Sequence, residues 1–277
     1  MLISLKQVSA FYTNSCAVLN HIDLDIRENE FVGITGKTGS GKTTLLETIG
    51  GLHQPDHGQV LFHDRDIYSR NFDINSFRRS LQIVFQFPEN QFFETDVLSE
   101  TAFGPKMLGM TPEETEELVR IALFETGMDE DIYKNKSPFI LSGGQKRRLA
   151  LACALAVSPG ILLLDEPFSG LDPDGQELII KTLHTLRKNG ITILMVSHDP
   201  NVLYELSDRI IVMSDGKIVM DGKPYEVYSD AEFCSRYGIG QPQTKRAADF
   251  LGIEPGNDYS YANFLSCVRH KIMEAAL

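Results

Sequence analysis

Nothing in this chain marks it for a disulfide framework, a bilayer span or a general polyanion surface. Its four cysteines, Cys16, Cys153, Cys234 and Cys267, are scattered, with no close pair at the spacing of a metal or disulfide motif. Reduced thiols in the cytosol are the expectation. The longest uninterrupted apolar run, LALACALAV at 149–157, falls far short of the ~18–20 residues that cross a membrane, and no signal-peptide pattern opens the chain. Basic residues are outnumbered, 26 Lys and Arg against 38 Asp and Glu, for a net charge of -12. Any polyanion must therefore be gripped locally rather than by overall field. Low-complexity tracts, internal repeats and sustained heptads are also missing.

What is present is 277 residues, 42% hydrophobic and 23% charged, enough for a full core. Strand-like runs fill the N-terminal part (LISLKQV, VLNHIDLDI, EFVGIT, QVLFH) and recur at LQIVF, ILLLD, ITILMVS, RIIVM and KIVM. FVGIT, ILLLD and ITILMVS are nearly continuous apolar runs followed by helix signals, the pattern of parallel strands covered on both faces. The expected class is α/β. Between about 88 and 157 the pattern turns helical. There TPEETEELVRIALFET predicts a helix capped by Thr111, with Pro112 in its first turn, Glu114 completing a capping box, and an inward stripe of Leu118, Ile121, Ala122 and Phe124. From about 224 the strands stop and an appended helical segment follows, with Leu265, Val268, Ile272 and Ala276 at helical spacing.

GKTGSGKT, Gly36 to Thr43, lies between the strand FVGIT and the helix-like TLLETIGGL. In that context glycine amides and a helix N-terminus cradle phosphates. Lys42 is expected to reach the β- and γ-phosphates and Thr43 to ligate Mg²⁺. ILLLDEP puts Asp165 and Glu166 where a buried strand runs out, Asp165 suited to Mg²⁺ and Glu166 to the attacking water, with Pro167 biasing Glu166 towards an extended backbone. His198 closes ITILMVSH, and Asp199 with Pro200 reads as a helix cap. A γ-phosphate contact and an idle loop histidine are both open for His198. Gln86 after LQIVF reads by itself as a solvated loop residue, and Tyr12 as either an adenine-stacking ring or strand core.

LSGGQKRR at 141–148 raises a separate question. Ser142 and Gln145 have capping-box spacing, but a cap does not require Gly143 and Gly144, each of which could cost up to about 1 kcal/mol against alanine in a helix. Their backbone must be closely approached. A hydroxyl, bare amides, a positive helix end and the nearby Lys146, Arg147 and Arg148 suit a second phosphate site.

These motifs together resemble the ABC transporter ATPase family over nearly the whole chain: the phosphate loop Gly36–Thr43, the glutamine loop at Gln86, the signature Leu141–Gln145, the acidic strand with Asp165 and Glu166, the D-loop 169–172 and the switch histidine His198. The resemblance implies a P-loop NTPase core at 1–223 with an N-terminal antiparallel β subdomain and an inserted helical subdomain at about 88–157. A C-terminal helical extension follows at 224–277, with a role in dimerisation. It implies ATP and Mg²⁺ as cofactors. Glu166, His198, Gln86 and Lys42 would serve catalysis, and Thr43, Gln86 and Asp165 the metal. The nucleotide would be held by Tyr12, Gly36, Lys37, Thr38, Gly39, Ser40, Gly41, Lys42, Thr43 and Thr44. From a head-to-tail partner it would be met by Ser142, Gly143, Gly144, Gln145 and Asp172. VFQFPENQFFETDVLSETAFGP, with Phe87 where asparagine is usual, is similar to the A-component of energy-coupling factor importers. That branch implies uptake of a vitamin or transition-metal ion. It also implies a second ATPase, identical or paralogous, with a transmembrane coupling subunit and a small membrane substrate-binding protein. The expected location is the cytoplasmic face of the membrane, with no nucleic acid partner. Arg147 and Arg148 would lie near the coupling subunit or on a solvated basic face. Another ABC importer or exporter remains the alternative, and a soluble ABC protein of DNA repair or translation a remoter one.

Overall fold

A computed structural model describes residues 1–11 and 17–275, without the side chains of Glu89, Glu274 and Ala275. In chain order the elements are β1 (Ile3–Phe11), β2 (Ala17–Ile26), β3 (Phe31–Gly36), α1 (Lys42–Ile49), β4 (His57–Phe62), β5 (Arg65–Asp66), α2 (Ile74–Ser80), β6 (Leu81–Val84), α3 (Val97–Met107), α4 (Pro112–Glu125), α5 (Glu130–Tyr133) and α6 (Gly143–Leu155). They continue with β7 (Ile161–Asp165), α7 (Pro173–Lys188), β8 (Thr192–Val196), α8 (Pro200–Leu206), β9 (Arg209–Ser214), β10 (Lys217–Gly222), α9 (Pro224–Ser229), α10 (Ala231–Tyr237), α11 (Gln243–Leu251) and α12 (Tyr261–Ala275). All nine strand runs expected from the sequence are strands; β5 and α2 are additional.

Two sheets form the frame. An antiparallel one runs β2-β1-β4-β5, and the other runs β10-β9-β3-β8-β7-β6, parallel from β9 to β6 with β10 antiparallel at its edge. The parallel strands bury alternate residues on opposite sides. Val32, Ile34, Leu163, Leu194 and Ile211 pack with α1 and the antiparallel sheet, while Phe31, Leu162, Leu164, Ile193 and Ile210 pack against the helical side. Both faces being covered explains why their sequences show no polar alternation. The helical-side core continues beyond residue 223, taking in Val227, Tyr228, Cys234 and Ile239.

The α4 cap forms as expected, Thr111 and Glu114 bonding reciprocally. Its inward face does not match the expected stripe. Thr115, Val119, Ala122 and Leu123 are buried, whereas Ile121 is 44% and Phe124 83% exposed. The helix is rotated so that Val119 and Leu123, one turn apart, meet the core. On α12, Leu265 and Val268 are half-buried but Ile272 is exposed, and Ala276 lies outside the described residues. Cys153, Cys234 and Cys267 are free thiols, and Cys16 lies outside the described residues. Among the described residues no helix is long and apolar enough to cross a membrane.

Candidate functional site: a phosphate cleft and an exposed signature helix

The carboxyl ends of β3, β6, β7 and β8 fall along one edge of the parallel sheet, the edge where α/β folds place ligands. From β3 the chain turns through a loop with positive φ at Gly36, Gly39 and Gly41 into α1, whose N-cap Gly41 offers no side chain to the first amides. Those uncapped N–H groups are an anion site by construction. A cleft of about 340 Å³ opens there, lined by Val18, Thr38, Gly39, Gly41, Lys42, Thr43, Thr44, Gln86, Asp165, Glu166, Val196 and His198. Five separate stretches of the sequence, at 18, 38–44, 86, 165–166 and 196–198, thus meet at one place. Val18 and Val196 were missed from sequence because an apolar strand residue carries no signal of what it lines.

Lys42 is buried, with Nζ donating to the carbonyls of Gly36 at 2.8 Å and Lys37 at 2.9 Å. Desolvation pulls its pKa below the usual lysine value, against the opposing pull of Glu166 and Asp165. The Thr43 hydroxyl donates to Asp165 Oδ2 at 2.8 Å, and burial raises the Asp165 carboxyl despite that bond. Glu166 is pushed up to about 7, first by burial and then by the neighbouring Asp165 charge. His198 Nε2 stands 3.5 Å from Glu166 Oε1, which leaves that buried oxygen without a donor. Burial, and then Lys42, lower the His198 pKa, so its neutral form predominates at neutral pH.

The backbone of Glu166 departs from the extended form expected before Pro167. Its φ is +51, because the chain leaves β7 in a tight turn closed by Glu166 N–H to Val196 O at 3.0 Å and Ser169 N–H to Glu166 O at 3.2 Å. The carboxylate is aimed by that turn rather than by a continued strand. The oxygen donors fit a hard cation that is completed by phosphate oxygens: Thr43 Oγ1 and Asp165 touch, and Gln86 lines the same cleft. Ser40 Oγ, buried without a partner, adds an unused polar group to the phosphate loop.

Ser142, Gly143, Gly144 and Gln145 do not join this cleft. They form the start of α6, whose capping box is complete: Ser142 N–H donates to Gln145 Oε1 at 3.0 Å and Gln145 N–H to Ser142 Oγ at 3.3 Å. Gln145 Nε2 is taken by the Tyr133 hydroxyl. Ser142 and Gly143 are exposed, and a Cβ on Gly143 would meet nothing within 4 Å. Asp172 is likewise exposed and caps α7 by accepting from Gly175 N–H. Arg147 donates to the Gln86 carbonyl and Arg148 to the Gly127 carbonyl, so both are held within the chain. Tyr12 lies outside the described residues.

Comparison with known proteins gives the family of the chain. The ABC transporter family model matches residues 19–169. The energy-coupling factor transporter ATP-binding protein EcfA2 of Clostridium perfringens is 41% identical over 226 residues, 81% of this chain and 79% of that protein. Among solved structures, cbiO1 from the same organism, part of the ABC transporter complex cbiONQ, superposes with a TM-score of 0.75 at 33% identity, covering 91% of this chain and 99% of that one. The ATP-binding cassette MJ0796, solved as a dimer in a post-hydrolysis state with ADP and Pi, gives 0.73 at 32% identity over 80% and 98%. With a phosphate-loop cleft at the carboxyl edge of its parallel sheet and relatives of this closeness, the chain belongs to the ABC transporter family as an ATP-hydrolysing subunit.

Proposed function

We propose that this chain energises uptake of a micronutrient, a vitamin or transition-metal ion, through an energy-coupling factor type transporter, by ATP-driven closure of a head-to-tail pair of cassettes. The observation that carries the pairing is Gly143. Glycine there disfavours the helix and relieves no contact inside the chain, so the group it makes room for must come from outside. A second cassette's phosphates, held in its own cleft, fit the exposed amides and the Ser142 hydroxyl.

In this reading Lys42 exchanges its carbonyl partners for phosphate oxygens when ATP enters. Glu166, with a pKa near neutrality, takes a proton from the water that attacks the γ-phosphorus as the bond to the bridging oxygen breaks, giving ADP and inorganic phosphate. His198, lining the same cleft, is placed to contact the γ-phosphate. Mg²⁺, held by Thr43, Asp165 and Gln86, would neutralise charge on the β- and γ-phosphates. Loss of the γ-phosphate removes what joins the two signature helices to the two clefts, and the pair reopens. The resulting motion drives a transmembrane coupling subunit that works with a small substrate-binding membrane protein, and the cassettes sit at the cytoplasmic face. The energy-coupling factor relatives support that assignment.

Isolating the tagged chain from detergent-solubilised membranes tests this. A second cassette, a coupling subunit and a small hydrophobic protein are expected to accompany it. Recovery with no membrane protein at all would refute the transport reading.

A further inference from the structure

Gly238 ends α10 in the left-handed region, φ +64, and a Cβ there would lie 3.0 Å from both Cγ and Cε of Lys37. Lys37 is the second residue of the phosphate loop, and the contact is with its aliphatic stem. The carbonyl of the same residue accepts the Lys42 ammonium at 2.9 Å and the Ser40 amide at 3.1 Å. Wherever the Lys37 backbone sits, one of the two oxygens that hold Lys42 sits with it.

The turn that carries Gly238 is fixed on both sides. Ile239 is buried in the helical-side core and donates its N–H to the Cys234 carbonyl at 3.1 Å. A Cβ on Gly240 would lie 3.6 Å from Pro200 Cγ, and Gln243 N–H donates to Asn201 Oδ1 at 2.8 Å. Pro200 and Asn201 begin α8, directly after His198 and Asp199. One short turn between α10 and α11 therefore rests against the phosphate loop and against the start of α8, next to the cleft-lining His198.

We propose that Gly238 is a positioning residue for ATP binding: the turn after α10 seats the Lys37 stem and, through the Lys37 carbonyl, sets Lys42, so the C-terminal extension is mechanically linked to the phosphate cleft. The proposal rests on the phosphate-loop reading above. Only a residue without a side chain lets the Lys37 stem lie this close.

Gly238→Asn tests it, because asparagine tolerates the left-handed region but brings a Cβ against Lys37. In this variant the KM for ATP is expected to rise about fivefold with kcat within about twofold, and in a Lys37→Ala background the same change is expected to move KM by less than about twofold. Gly252→Asn is the control. It has the same helix-end conformation, φ +60, but a Cβ there meets only the flexible Lys271 ammonium at 3.5 Å, and KM is expected to stay at the wild-type value. An unchanged KM in Gly238→Asn, an undiminished rise when Lys37 is alanine, or an equal rise in Gly252→Asn would each overturn the proposal. If Gly238→Asn does not fold, Lys37→Ala takes its place: removing the stem that the turn seats is expected by itself to raise the KM for ATP severalfold, and an unchanged KM overturns the proposal. Failure of the wild-type chain to bind ATP would instead overturn the phosphate-loop reading, so the two failures are distinguishable.

Discussion

Glu166 carries two consequences of one cause, burial beside Asp165. A carboxyl raised from 4.5 to about 7 favours folding only while it is protonated. That contribution is complete below the unfolded value of 4.5 and is lost as pH rises through about 7. Glu166→Gln stays neutral at every pH. It is therefore expected to melt a few degrees above the wild type at about pH 8, on the order of 2 kcal/mol, and to match it near pH 5. A Tm gap of the same size at both pH values would contradict the burial argument. The same variant should hold ATP without turning it over, accumulating as a closed pair with ATP and Mg²⁺; steady hydrolysis at the wild-type rate would remove Glu166 from its role. Residue identity at this site was legible in the sequence, since Lys42, Thr43, Asp165 and Glu166 stand in motifs whose spacing their chemistry dictates. Conformation was less so. The positive φ of Glu166 arises from bonds to Val196 and Ser169, and the Val196 bond crosses between strands that local sequence does not pair.

At the scale of elements, α6 is the informative helix. Its first turn satisfies its own amides through the Ser142–Gln145 box, so Gly143 is a cost that intrachain packing does not repay, whereas a Cβ on Gly144 would lie 3.2 Å from Leu171 Cδ2. Gly143→Ala adds a Cβ that meets nothing within 4 Å and should raise stability by about 0.5–1 kcal/mol, while lowering ATP hydrolysis about tenfold by obstructing an incoming phosphate. Unchanged hydrolysis in a more stable variant would leave the glycine without a partner to serve. The α4 helix teaches a different lesson. Its limits and cap were legible because Thr111, Pro112 and Glu114 act locally. Its phase was not, because apolar residues ring two sides of it and only the packing of neighbouring helices decides that Val119 and Leu123 go in while Ile121 and Phe124 stay out. Strands β3, β7 and β8 raised no such ambiguity, since a strand buried on both faces has no phase to misjudge.

For the whole molecule, the cleft belongs to one end of the parallel sheet and the signature to an exposed helix start elsewhere on the surface. The motifs announced both halves, and the family resemblance assigned them to different subunits, but nothing in the sequence signalled that the Lys37 stem lies beside Gly238, far away in the chain. In the proposed pairing, the two halves meet between two molecules. Two variants, each defective in one half, test it most directly: Lys42→Ala, which spares the signature, and Ser142→Arg, which spares the cleft. Each alone is expected to be inactive. Mixed in equal amounts they should recover about a quarter of wild-type hydrolysis, because half of the pairs that form contain one intact composite site. A mixture as inactive as its components, although this chain is seen to pair with itself in the presence of ATP, or a Ser142→Arg variant that hydrolyses ATP at the wild-type rate as a monomer, would contradict the composite site.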